Sequence, residues 1–546
     1  MLQPSLAPER VHEMRRLGYW PDFVLTDFLD QWASQAPDRV AVVDHNSVTG
    51  QRTALTFRAL ADRVDRLARG LLQLGIRRGE VISFQLPNWW QFHALHLAAL
   101  RIGAVTNPLM PIFRERELRF MLGLAESRLL VVPRHFRGFD HAAMAERLRP
   151  NLPALRHVRV VGGEGDDAFE HLFVDAAPAT PDGFIRPDPN EVIQLLYTSG
   201  TTGEPKGAMH ISNTLFSNII PYAERLGLSG RDVVLMASPM AHQTGFMYGL
   251  MMALYLGARN VLQDIWVPEQ AADIIEAEGA TFTMASTPFL NDLTAVAQRR
   301  PAAFRSFRVF LAGGAPIPRV LARRATEALG ASIVPGWGMT ENGAICIGKL
   351  DDPPEKIFDT DGCPLPGIEI RVVDPNGAAL PAGEEGRLQA RGCSNFVGYL
   401  KRPELNGTDA QGWFDTGDLA RIDAEGYVRI TGRSKDIIIR GGENIPVVEI
   451  EQLLYRHPAV QELAIVAMPD PRLGERCCAF VVPKPDASLD FGDMIRFLED
   501  QHVARSYMPE RLEVIAEMPK TPSGKIQKFR LREAARTLAA TPTGTA

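Results

Sequence analysis

The sequence predicts an α/β fold: a large N-terminal domain of mostly parallel sheets with helices and a β-rich subdomain, then a small α+β C-terminal domain. Two observations carry that expectation. Short β-branched or apolar runs alternate with helical patterns through most of the chain, the layout of strands joined by crossover helices. Near residue 365 the texture changes to short antiparallel-looking runs, and beyond Arg433 a compact mixed block follows. The expected boundaries are 1–433 for the large domain, 365–432 for its β-rich part and 434–546 for the small domain.

In order, the strand runs are Val40–Val43, Val81–Leu86, Leu129–Val132, Val158–Val161, Val192–Tyr197, Val233–Ala237, Thr281–Ala285 and Val309–Ala312. Between them, Phe57–Leu74 and Trp89–Ile102 place apolar residues at three- and four-residue spacing and read as helices. Pro87 ends a strand, so Asn88 is well placed to cap the second helix. In the β-rich part, strands are expected at Ile368–Val373, Gly386–Ala390 and within Leu419–Ile430, which turns at Asp423–Gly426. The small domain reads as a helix over Pro446–His457, strands at Leu463–Ala467 and Ala479–Val482, a helix at Phe491–His502 and a strand at Leu512–Ile515.

The chain has 546 residues, room for large buried cores, and 59 basic against 65 acidic residues give a net charge of -6. That balance argues against a chain-wide nucleic-acid surface. Five cysteines with no CxxC pair argue against a disulfide framework or a structural zinc site. No secretory signal is read at the start, and the apolar stretch Gly245–Ala258 is too short to cross a bilayer and suits a buried helix. A cytoplasmic protein is expected.

The most informative segment is Tyr197-Thr198-Ser199-Gly200-Thr201-Thr202-Gly203-Glu204-Pro205-Lys206-Gly207, between a strand and the helical pattern Asn213–Tyr222. Such a loop can aim backbone N–H groups and hydroxyls at phosphate oxygens, with the lysine adding a point charge. It is not a Walker A loop, because Pro205 precedes Lys206 and Gly207 follows it. A bare glycine-rich stretch is more often a surface turn; this wording is more specific.

The segment resembles the phosphate loop of the adenylate-forming superfamily, which includes acyl-CoA synthetases, luciferases and peptide-synthetase adenylation domains. Further motifs follow in the family's order. Leu311-Ala312-Gly313-Gly314-Ala315-Pro316 resembles its adenine-side loop. Gly336-Trp337-Gly338-Met339-Thr340-Glu341 resembles its aromatic-Gly-x-Thr-Glu motif, with Trp337 where tyrosine is commoner. Gly412–Asp418 and Thr431–Asp436 resemble its ribose and hinge motifs, and Pro519–Lys525 its C-terminal lysine motif. The likeness spans almost the whole chain and points most closely to short- and medium-chain acyl-CoA synthetases, among which the cyclohexanecarboxylate-CoA ligase group fits best.

The resemblance implies ATP, Mg²⁺ and coenzyme A as co-reactants. It assigns Thr198, Ser199, Gly200, Thr201, Thr202, Gly203, Lys206, Gly313, Gly314, Ala315, Gly336, Trp337, Gly338, Met339, Thr340 and Lys525 to the nucleotide, and Asp418 and Arg433 to its ribose. Glu341 would ligate Mg²⁺, a hard ion suited to carboxylate oxygen. Lys525 would bridge the acid and the α-phosphate; a solvated basic face is the plainer reading of its neighbours Lys520, Lys528, Arg530, Arg532 and Arg536. A rotation about Lys435 would bring Arg440, Gly441, Gly442 and Glu443 to the thiol of CoA, although relatives often carry a lysine near Gly441.

Pro239–Gly245 matches the family's acyl-pocket segment, so His242, Gly245, Phe246 and Gly338 are expected beside the acid, with His242 gating the site. The uncharged run after Thr244 suits a hydrocarbon acid, since an unpaired ammonium would be costly to desolvate there. Only 21 residues follow Lys525 (546 minus 525), which favours free coenzyme A over a tethered carrier as acceptor. A monomer or homodimer, with no nucleic-acid partner and no membrane span, completes the expectation.

Overall fold

The computed structural model describes residues 2–173, 183–198, 205–314, 317–434, 436, 438–440, 443–503, 505–521 and 524–540. The first sheet has nine strands, in spatial order Cys363–Pro364, Gly343–Ile347, Ser332–Met339, Val309–Gly313, Phe282–Ala285, Val233–Met236, Arg259–Gln263, Val40–His45 and Arg52–Thr56. Its interior pairs are parallel and its two ends are closed by antiparallel strands. Strands such as Phe282–Ala285 and Val309–Gly313 are buried throughout, as parallel strands covered on both faces must be.

The second sheet has six strands, ordered Lys206–Ile211, Val192–Thr198, Val105–Pro108, Val81–Phe84, Leu129–Pro133 and His157–Val161. Only its Lys206–Ile211 edge runs antiparallel. The expected helix follows the phosphate loop, though not directly. A strand intervenes, because Gly207, Ala208 and Met209 continue the ladder with Tyr197, Leu196 and Leu195. The helix begins at Ser212.

A four-stranded antiparallel sheet, Ile368–Val373, Gly386–Gly392, Phe414–Ile422 and Val428–Arg433, shares the main core with the first two. Past Arg433, a sheet built on Val460–Asp470 and Gly474–Pro483 has its own apolar clusters. The helix Lys528–Ala540, absent from the sequence reading, buries Leu531 and Ala535 against that sheet. Its other residues are mostly charged or small, which hid the period. Among the described residues no helix is long and apolar enough to cross a membrane.

Asn88 does not cap the helix Trp90–Arg101; the N-cap is Trp89, without a side-chain bond. The Asn88 amide reaches the first sheet instead. Its Nδ2 donates to the carbonyls of Ser238 (2.9 Å), Met236 (3.2 Å) and Gln263 (3.3 Å), and its Oδ1 accepts from Met240 N–H (2.9 Å). Buried carbonyls at strand ends need donors, and this amide supplies one across two sheets. It thereby anchors the chain leading to His242.

Gly245–Ala258, expected as one buried helix, is a π-helix over Thr244–Met251 that tightens into an α-helix over Met252–Leu256. Gly257, at φ +66°, ends it in the left-handed conformation.

Asn88→Ala should destabilise the large domain by about 2–3 kcal/mol, since it strands several buried backbone groups. Urea denaturation followed by tryptophan fluorescence measures this, and an unchanged midpoint would contradict the bridging role.

Candidate functional site

The strands Val309–Gly313 and Ser332–Met339 end side by side, with Gly313 opposite Gly336. Ligands gather at such carboxyl ends in open α/β sheets. At Gly338 the next pairing slips by one residue, and a Cβ there would lie 1.9 Å from Gly343 O. Only glycine fits, so the chain can turn tightly into Thr340 and Glu341.

Trp337 is buried, and its indole Nε1 donates to Asp418 Oδ2 at 3.0 Å. Arg433, paired in register with Asp418, brings Nε to 2.9 Å from the other oxygen. One carboxylate is thus held from two directions, joining the first sheet to the four-stranded one.

Thr340 and Glu341 sit against the second sheet. His210 Nε2 donates to Thr340 O at 2.8 Å, with the imidazole held neutral because burial pushes its pKa down to about 4. Tyr399 hydroxyl donates to Glu341 Oε1 at 2.5 Å, and Phe396 N–H to Glu341 O at 2.7 Å. Burial, and then the Glu341 charge, push the Tyr399 phenol well above its usual range, so it stays a donor. Lys206 faces Thr198 across the hairpin, and its ammonium lies 4.5 Å from the Tyr399 ring centre. The tip of that hairpin, with Ser199, Gly200, Thr201, Thr202 and Gly203, lies outside the described residues, as does Ala315.

Lys525 stands on a tight turn: Thr521 N–H donates to Lys525 O at 2.7 Å, and Lys525 N–H to Thr521 Oγ1 at 3.0 Å. At Gly524 a Cβ would lie 3.0 Å from Ser286 Oγ, so this turn of the small domain lies against the large one. Lys525 is exposed as a whole residue, while its amine end is packed among charges. The positive charge of Arg433 is the main force lowering its pKa to about 8, followed by burial of the amine. Asp418, Asp436 and Glu341 act in the opposite sense. Residues far apart in sequence therefore share one electrostatic field, which can hold anionic groups beside a cationic amine.

His242 feels the same amine. Burial first, then Lys525, depress its pKa to about 4, and its Nδ1 accepts from Thr244 N–H at 3.2 Å. The imidazole is neutral, with its proton on Nε2. A Cβ on Gly245 would lie 2.4 Å from Pro239 O, so glycine lets the His242 turn close on the π-helix. Phe246 is fully buried, edge-on to His96 at 4.8 Å between ring centres.

Arg440 is not free in this arrangement: it pairs with Glu510, which also accepts from Cys477 N–H. Lys435, Gly441 and Gly442 lie outside the described residues; Glu443 is described as part of the strand Glu443–Ile445, paired to Arg440. Sequence reasoning missed His210 and Tyr399. Alternation along the strand from Lys206 through Ala208 could have found His210, which shares their face. Tyr399 carried no such signal.

Residues 29–400 match the family model described as AMP-binding enzyme, and residues 449–525 match AMP-binding enzyme C-terminal domain. A medium-chain fatty-acid–CoA ligase of Escherichia coli (strain K12) is 38% identical over 526 residues, covering 95% of this chain and 92% of the relative. A salicylyl-CoA synthase / salicylate adenylyltransferase of Streptomyces sp is 37% identical, covering 97% and 96%. The crystal structure of an anthranilate CoA ligase in complex with anthranoyl-AMP superposes with a TM-score of 0.86 at 26% identity, over 95% of this chain and 98% of that one.

Competitive acylation read by mass spectrometry should show the Lys525 amine titrating near pH 8, its reactivity rising as the proton leaves. Arg433→Gln removes the largest depressing charge and should move that midpoint upward. A midpoint near about 10.4, the free-lysine value, would contradict the shared field.

Proposed function

The chain belongs to the AMP-binding enzyme family, and from that premise we propose that this ATP-dependent acyl-CoA synthetase activates a hydrophobic carboxylic acid and passes it to coenzyme A. The observation that carries the reading is the placement of Lys525 in one field with Asp418, Arg433, Glu341 and His242.

The acid's carboxylate attacks the α-phosphorus of ATP and diphosphate leaves. Both reactants are anionic, so a positioned cation lowers the barrier as charge builds on the α-phosphate. Lys525, on a turn of the small domain that lies against the large one, would supply that cation. Asp418 would accept the ribose hydroxyls with Arg433 alongside, and Trp337 and Gly313–Gly314 would frame the base. Lys206 and the loop before it would hold the outer phosphates. The Glu341 carboxylate, of the oxygen type that Mg²⁺ prefers, fits that ion and would hold it against the phosphates. When bound, Mg²⁺ supplies charge neutralisation.

In the second step the thiol of coenzyme A attacks the acyl carbonyl and AMP leaves. Arg440 and Glu510 pair within the small domain, so a turn of that domain about Lys435 would carry the pair as one unit toward the coenzyme A side. His242, neutral beside the acid, would gate access. The uncharged π-helix favours a hydrocarbon acid, cyclohexanecarboxylate or a short- or medium-chain fatty acid.

A second reading keeps the adenylation but changes acid and acceptor. The salicylate relative, at 37% identity, and the anthranilate ligase structure, at 26%, carry aromatic acids in their names, which favours an aromatic acid here, with a carrier protein in place of coenzyme A.

Diphosphate release across benzoates, cyclohexanecarboxylate and short to medium fatty acids, with and without coenzyme A, separates these readings. Thioester from an aliphatic or alicyclic acid is expected; turnover confined to hydroxy- or aminobenzoates would favour the second. Lys525→Ala should cut acid-dependent ATP–diphosphate exchange by about 10²–10³ while largely sparing thioester formation from supplied acyl-AMP. Equal loss of both steps would contradict the role given to Lys525.

A further inference from the structure

Beyond the motif residues, Asn395-Phe396-Val397-Gly398-Tyr399-Leu400 runs along the edge strand that carries Lys206. Val397 N–H donates to Met209 O (3.0 Å), Met209 N–H to Gly398 O (3.0 Å), and Leu400 N–H to Gly207 O (2.8 Å). The segment thus lies against the outer edge of the second sheet beside the phosphate hairpin. On its other side Phe396 N–H holds the Glu341 carbonyl at 2.7 Å.

The side chains repeat this coupling. Ala208, Phe396, Tyr399 and Phe414 form a separate apolar cluster, and Phe414 opens the strand that carries Asp418. Within it the Tyr399 ring lies under the Lys206 ammonium, and its hydroxyl reaches Glu341 Oε1 at 2.5 Å. Phenylalanine would fill the same volume. The hydroxyl adds only a directed hydrogen bond to a carboxylate that is 4% exposed.

We propose that Tyr399 is a positioning residue for nucleotide activation: its hydroxyl fixes the Glu341 carboxylate, and its ring seats Lys206, so the two groups meet the phosphates in one geometry. The proposal rests on the reading of Glu341 as the Mg²⁺ ligand and deepens it. A buried carboxylate without that donor adopts other rotamers or carries a larger desolvation cost, and either weakens its hold on a cation. Because the ring stays in Tyr399→Phe, the apolar cluster and the Lys206 contact survive, and the hydroxyl is tested alone.

In the full chain, Tyr399→Phe should raise the Mg²⁺ concentration for half-maximal acid-dependent exchange roughly tenfold, the scale of one hydrogen bond to a charged group. The half-saturating acid concentration and thioester formation from supplied acyl-AMP should stay put. Mn²⁺ binding in the presence of ATP, followed by electron paramagnetic resonance without turnover, should weaken by a similar factor. Added to Glu341→Gln, the substitution should cost nothing further in Mg²⁺ dependence, because the charged ligand that the hydroxyl positions is gone even though the amide oxygen can still accept its bond. Asn406→Ala removes the acceptor of Tyr399 N–H (2.8 Å) and leaves the ring intact. It should shift the Mg²⁺ requirement the same way by a few-fold, a second route should Tyr399→Phe fold poorly. Unchanged Mg²⁺ and Mn²⁺ responses in the variants, or losses that add to Glu341→Gln, overturn the proposal. Absence of acid-dependent exchange in the unaltered chain would instead remove the reading beneath it.

Discussion

An amine that must stay positive in a crowd of charges is the constraint on which the site depends. Lys525 stands beside Arg433, which works against its proton, and Asp418, Asp436 and Glu341 restore part of what is lost. Because each of these charges acts on the amine through space, moving any one of them shifts its pKa. The carboxylates serve twice. Asp418 also holds Trp337 and Arg433, and Glu341 also holds Tyr399. The charge balance is thus shared between the sheets of the large domain and a turn of the small one.

That economy explains why the fold looks overbuilt around the site. Asn88 joins the sheets behind His242, Phe396–Leu400 joins the phosphate hairpin to Glu341, and the Asp418–Arg433 pair joins two neighbouring strands. Each link is short and hydrogen-bonded, so the large domain offers fixed positions. The turn carrying Gly524 and Lys525 belongs to the small domain and touches the large domain near Ser286 and Pro288.

Strand and helix alternation was legible because buried parallel strands such as Leu129–Pro133 are continuous apolar runs. The motif residues were legible because glycine, threonine and acid in fixed order leave a pattern, and Gly338 shows why the spacing is strict. What stayed hidden depends on pairing across long sequence distances. Asn88 has the chemistry of a cap, yet the carbonyls of Met236 and Ser238 compete for it and win. Tyr399 lies 193 positions after Lys206 (399 minus 206), and only the folded edge of the second sheet brings them together. The π-helix at Thr244–Met251 was invisible because its residues are apolar on every side, leaving no period to read.

The most direct measurement follows oxygen. With the carboxylate of an accepted acid labelled with oxygen-18, attack on the α-phosphorus and later cleavage at the carbonyl carbon should leave one labelled oxygen in each AMP formed. AMP free of label, or label appearing in diphosphate, would mean that the acid never joins the α-phosphate and would contradict the account.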